Sequence, residues 1–210
     1  MILPRKGREE TKEDLSSLHG PFDLPALKRK VQSLQTTGIL PEFVEKLQPV
    51  SIEDLEDLKR RYASLIIQLD RLRPGLAAAN ALTPSTDGTW SIKETLGHLI
   101  DSDRDIWWPR IEALLREEHP SFAEVDHQEL VRAHDWQSQP LDDILGQCIR
   151  DRWGYAMRLN ELAPDAWERS GDHEALGEIC ILHIVQLLVA HDEHYLAKLR
   201  EMIEATAADE

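Results

Sequence analysis

The chain predicts an all-α fold, an antiparallel four-helix bundle, and three observations carry that prediction. Four segments repeat apolar residues at helical spacing, no segment alternates apolar and polar residues as a strand does, and stretches containing Pro or Gly separate the four. A length of 210 residues suits one domain with an appendage and is enough to bury a substantial core.

The first helix is predicted to start at Ser51, where Ser51-Ile52-Glu53-Asp54 resembles a capping box. Leu55, Leu58, Tyr62, Leu65, Ile66 and Leu69 form its stripe, and Arg73-Pro74-Gly75 stops it. The second has the clearest start: Ser91-Ile92-Lys93-Glu94 is a full capping box, with Trp90 placed as a hydrophobic staple. Ile92, Leu96, Leu99, Ile106, Trp107, Ile111 and Leu114 make its stripe, which should fade near Glu118, before Pro120. A long connection follows over 119–140, with a weak helical piece through His134; connections of this length are often functional. The third helix is predicted over Leu141 to Leu162, with Ile144, Leu145, Cys148, Ile149, Trp153, Met157 and Leu159 as its apolar face. The last starts near Gly177 or Glu178 and reaches about Ala205, with Ile181, Ile184, Leu188, His191, Tyr195 and Leu199 tracing one stripe.

Charge divides the chain. Residues 1–50 carry eight Lys/Arg against seven Asp/Glu, whereas the remainder carries 16 against 32. With Pro25, Pro41 and Pro49 as punctuation, 1–50 reads as an extension, partly disordered with short helices, and 51–210 as the bundle. A net charge of −15, with no Lys/Arg stripe interleaved with aromatics, argues against nucleic acid as a partner. No secretory h-region opens the chain, and the apolar run Ile179 to Ala190 is too short to span a bilayer, so no membrane role is expected. The two cysteines, Cys148 and Cys180, lie far apart in helical patterns and read as small buried residues, which suits a cytoplasmic location. No P-loop, phosphate-cradling Gly-rich loop or G-x-S-x-G elbow is present.

The candidate chemistry lies in histidines. His191 and His194 sit one turn apart on the last helix, and residues at i and i+3 occupy neighbouring parts of one face. His98 lies on the second helix in a row with Glu94, Asp101 and Asp105. If those helices are neighbours, three nitrogens converge to hold a divalent metal and leave a coordination position open. The plainer reading stands beside it: His98 satisfied by Asp101 or Asp105, His191 buried against Tyr195, and His194 on the helix surface. Asp101, Asp105 and Asp192 read either as groups that orient imidazoles or as solvated charges, the latter more readily for Asp105 and Asp192. His119, His127 and His134 in the long connection are candidates for a pocket mouth, or simply exposed.

The order of features resembles the DinB/YfiT-like family of four-helix-bundle proteins, in its metal-binding branch. The likeness rests on four pieces spanning about residues 55–203. They are Trp90-Ser91-Ile92-Lys93-Glu94 running into Gly97-His98-Leu99-Ile100-Asp101; the Phe122 to Asp126 loop; Trp167-Glu168-Arg169 with His173-Glu174 and Gly177-Glu178; and His191-Asp192 with Leu196-Ala197-Lys198-Leu199. The resemblance implies a metal, zinc or nickel, held by three histidines, one from the second helix and two from the last, four residues apart. His98 and His191 match the first two. Tyr195 occupies the third position, and His194 is the substitute from the same turn. The resemblance further implies a hydrolase or a thiol-dependent transferase acting on a small molecule. It also permits a homodimer, for which Trp107 or Trp108, if exposed, would supply an interface. The replacement at Tyr195 keeps a second expectation open: a metal-free, non-catalytic bundle that binds a small ligand or serves association.

Overall fold

The computed structural model describes residues 52–79, 81, 90–125 and 127–208. The expected extension over 1–50 and the Ser51 cap lie outside the described residues.

Helix α1 spans Ile52–Arg71 and buries Leu55, Leu58, Tyr62, Leu65, Ile66 and Leu69, as its spacing predicts. Arg73-Pro74-Gly75 bends the chain rather than ending helical structure. A short helix, α2 (Arg73–Ala78), follows with Pro74 in its first turn, where a missing N–H costs nothing, and Leu76 is buried.

Helix α3 (Ile92–Ser102) opens on the predicted box: the Ser91 N–H donates to Glu94 Oε2 at 2.9 Å, and the Glu94 N–H donates to Ser91 Oγ at 3.3 Å. It runs through one π-helical stretch, Asp103–Trp107, into α4 (Trp108–Arg116). The wider turn sits just before Pro109, whose ring and missing N–H cannot follow a regular α-helix. It turns Asp103, Trp107 and Trp108 inward together, all three 4 % exposed or less. Neither tryptophan is therefore available at the surface, which removes the sequence-based reason for placing a dimer interface there.

The long connection is more structured than its sequence suggests. Two residues, β1 (Ser121–Phe122), pair in parallel with β2 (Ser170–His173), which pairs antiparallel with β3 (Gly177–Cys180). No strand was expected; at two to four residues these are too short for alternation to show. Gly177, at φ 80°, takes the left-handed conformation the hairpin turn requires. Buried His173 accepts the Ala175 and Leu176 N–H groups on Nδ1 at 3.2 and 3.3 Å, so it holds that turn. Helix α5 (His127–Ala133) is the weak helical piece.

Helices α6 (Leu141–Glu161) and α7 (Ile181–Ala208) complete the bundle, α7 starting after the β3 strand rather than at Gly177. On α6, Trp153 and Met157 are 40 % and 61 % exposed, not core residues; Arg152 and Ala156 hold the inward positions instead. Around the bundle α1 packs on α6 and α7, and α3 packs on the same two. The second and fourth long helices are thus neighbours, as the histidine argument requires, while α6 and α7 face each other across the diagonal.

Candidate functional site

The capping box fixes where α3 starts and places His98 in its second turn, 1 % exposed. His191, also 1 % exposed, lies midway along α7. Their Nε2 atoms face each other at 2.9 Å, with ring centroids 5.0 Å apart. Two imidazoles from helices distant in sequence therefore aim the same nitrogen at one point inside the bundle.

One side of the pair is aromatic. The Trp90 ring lies 4.5 Å from that of His98, and Tyr195 lies 4.6 Å from His98 and 4.7 Å from His191. Trp107 stands edge-on to His191 at 5.7 Å. The Lys198 ammonium lies 5.9 Å from the Trp90 ring. Half-buried Trp90 and Tyr195 cover His98.

The other side is charged. Asp192 Oδ1 is 3.3 Å from His191 Nδ1, and the Arg152 guanidinium grips Asp192 with two bonds of 3.0 Å. Asp103 Oδ2 lies 3.2 Å from the same guanidinium. All three of these charged residues are buried. Burial would raise the Asp192 carboxyl, but Arg152 and the bond to His191 outweigh it and hold the group below the usual carboxylate range. Burial pushes the Asp103 carboxyl up to about 8 despite Arg152, with Asp192 adding to the rise. Burial also lowers the His191 pKa, against the pull of Asp192.

The expected third histidine does not join. His194 is half-buried and lies edge-on to Tyr195 at 5.0 Å, and among the described residues no three His, Cys, Asp or Glu side chains are grouped to hold one ion. At i+3 its ring sits on the flank of α7, while Tyr195 at i+4 occupies the place against both imidazoles. The residues thus fit a metal in part: two imidazole nitrogens converge, and the third neighbour is a phenol, which donates well only as phenolate.

The carboxylates divide differently from expectation. Asp192, read more readily as solvated, is 5 % exposed and bound to His191. Asp105 is an exposed partner of Arg104. Asp101 is fully buried but turns away to the connection, accepting the Trp136 indole N–H at 2.8 Å and lying 3.3 Å from His134 Nδ1. His119 pairs with Asp172 at the surface at 3.2 Å, and the side chain of His127 lies outside the described residues. Burial raises the Cys148 thiol to about 12 and Cys180 to about 11, which agrees with small packed residues rather than nucleophiles. Arg152 and Asp103 were missed by the sequence reading. Their only sequence signal is a charge on a core-facing helix position, which periodicity treats as noise.

No helix among the described residues is long and apolar enough to cross a membrane. The chain matches the DinB superfamily over residues 44–199. A relative from Oceanobacillus iheyensis named "putative metal-dependent hydrolase" is 23% identical over 158 residues, covering 73% of this chain and 87% of the relative. One of the same name from Bacillus mycoides is 23% identical over 168 residues, covering 79% and 88%. YfiT from Bacillus subtilis, described with its structure as "a probable metal-dependent hydrolase with an unusual four-helix bundle topology", superposes with a TM-score of 0.68 at 19% identity, over 77% of this chain and 92% of that one.

Proposed function

The chain belongs to the DinB superfamily, and from that premise we propose that it is a divalent-metal-dependent enzyme, hydrolytic or thiol-transferring, built on His98 and His191. The observation that carries this reading is the pair of buried Nε2 atoms facing each other at 2.9 Å. The names of the relatives from Oceanobacillus iheyensis and Bacillus mycoides support it. Imidazole ligands suit zinc or nickel. His98 and His191 would hold the ion, with Tyr195 beside them and the remaining positions left to water or substrate. Such an ion, when bound, lowers the pKa of a bound water or thiol and so supplies a nucleophile at neutral pH.

The chain's own residues do the rest. Asp192 orients the His191 ring, and Trp90 with Tyr195 shields the pair from bulk water. The substrate in this reading is a small molecule. A cytoplasmic setting agrees with the two unpaired cysteines.

A second reading has an observation of its own. At 2.9 Å the two imidazoles satisfy each other by a direct hydrogen bond, and Tyr195 fills the third position, as in a metal-free binding module. Metal analysis separates the two. Purified protein supplemented with zinc or nickel should hold about one equivalent, lost in His98→Ala and in His191→Ala, and its melting temperature should fall on chelation. Wild-type protein that stays metal-free after supplementation, with unchanged melting in chelator, would establish the second reading.

A further inference from the structure

The centre of the bundle holds a charged group with no role in packing. Arg152 reaches from α6 across the diagonal to α7, where its Nε and Nη2 each donate to Asp192 at 3.0 Å. Its Nη1 contacts Cys148 Sγ on its own helix. Nearby, Asp103 Oδ2 lies 3.2 Å from the same guanidinium, and Asp103 Oδ1 and the Tyr62 hydroxyl are buried with no hydrogen-bond partner among the described residues. A guanidinium and two carboxyl groups at the middle of a core are weak evidence for a stabilising role, because apolar side chains of similar volume often serve a core as well or better. A small cavity opens beside the fork, between Leu65, Leu69, Leu99 and Leu196.

What the fork controls is the plane of one carboxylate. Two parallel N–H···O bonds fix Asp192 in orientation as well as position. Asp192 Oδ1 is then presented to His191 Nδ1 at 3.3 Å. A carboxylate held in an arginine fork only accepts, so the ring nitrogen that faces it, Nδ1, is the one that carries a proton. That leaves the Nε2 lone pair of His191 aimed at His98 Nε2, 2.9 Å away.

We infer that Arg152 is a positioning residue of the histidine pair, acting through Asp192 to fix the His191 ring with its Nε2 lone pair toward the centre. The inference deepens the metal reading and rests on it for one readout, metal affinity; the tautomer readout is independent of any metal. A carboxylate behind a ligating imidazole is worth about 10–100-fold in metal affinity. Here the carboxylate itself is aimed by a residue from the opposite helix.

The test uses full-length, metal-free protein with ¹⁵N-labelled histidine. Long-range ¹H–¹⁵N correlations should show His191 protonated on Nδ1 in the wild type. Arg152→Lys keeps the charge but removes the fork. It should populate both tautomers of His191 and weaken zinc binding about tenfold or more. A purely structural arginine would lower the melting temperature and leave the tautomer alone, and that result overturns the inference. So does a wild-type His191 protonated on Nε2, a measurement that needs no variant to fold. If the wild type binds no zinc, the metal reading fails, and the tautomer comparison still decides the role of Arg152.

Discussion

The two histidines of the pair are held in opposite ways. His191 is fixed by directional, charge-assisted bonds that run back through Asp192 to Arg152 on the facing helix. His98 is flanked by rings, Trp90 on one side and Tyr195 on another, with the Ser102 hydroxyl 3.4 Å from each of its nitrogens and His191 Nε2 2.9 Å from its Nε2. A bidentate ion pair sets orientation, because both bonds are lost if the carboxylate turns. Ring contacts such as these, tilted 33° and 59° to His98, set distance and exclude water but make no directional bond to either ring nitrogen. The charged side therefore decides which nitrogen His191 presents, and the aromatic side decides what can approach the pair.

The largest expected effect comes from altering the aromatic side. Tyr195→His places an imidazole one turn from His191, where the phenol now lies against both rings. A third nitrogen at that point should raise zinc affinity by about 100-fold, roughly 3 kcal/mol. Competition against a chromophoric chelator measures it directly. An unchanged affinity would show that position 195 does not share a centre with the pair, and that the orienting and covering sides do not meet at one site.

Most of the fold was legible because it depends on period and caps. The Leu55 to Leu69 stripe of α1 and the Ser91–Glu94 box of α3 appear where spacing and capping chemistry put them. The failures share one cause: periodicity cannot choose between adjacent faces of a helix when a charge on one of them is paired far away in sequence. On α6 the apolar reading took Trp153 and Met157 inward, but Arg152 went in because Asp192, 40 residues on, pays its desolvation. The same blindness made Asp192 look solvated. The site was half legible. His98 and His191 meet as their helices predict, whereas His194, one residue short of Tyr195, turns to the flank. The π-helical stretch left no pattern of its own, although Pro109 marked the need for it.

A substitution beside His98 but off both faces of the pair supplies a control of intermediate size. Gly97 lies against the Trp136 ring, and a Cβ there would overlap the indole. Trp136 also donates to buried Asp101 at 2.8 Å, so it cannot move freely. Gly97→Ala should cost about 1–3 kcal/mol of stability by overpacking, read by denaturant unfolding, while zinc stoichiometry stays as in the wild type. Loss of the metal in folded Gly97→Ala protein would mean that His98 is oriented by the backbone of α3 and its connection rather than by the rings around it.

The smallest effect probes the charged side through pH. Asp103 is faced by Tyr62 from α1, by Arg152, Asp151 and Cys148 from α6, and by Asp192 from α7. Its carboxyl is pushed up to about 8 by burial, against 3.8 for the exposed group. The folded protein therefore keeps a proton there that the unfolded chain has already lost. Its stabilising contribution is complete below the unfolded value and declines as pH rises toward 8, because the folded state binds more protons over that interval. Between pH 7 and 9 the wild type should lose about 1 kcal/mol from this group. Asp103→Asn mimics the protonated acid at every pH. Because the unfolded wild type is ionised well below neutrality, the variant should already be the more stable protein at pH 7, and its lead should grow by about 1 kcal/mol by pH 9, in denaturant titrations run at both values. Parallel curves for the two proteins across that range would mean Asp103 is ionised alongside Asp192. Arg152 would then divide its charge between two carboxylates, and its grip on the one behind His191 would weaken accordingly.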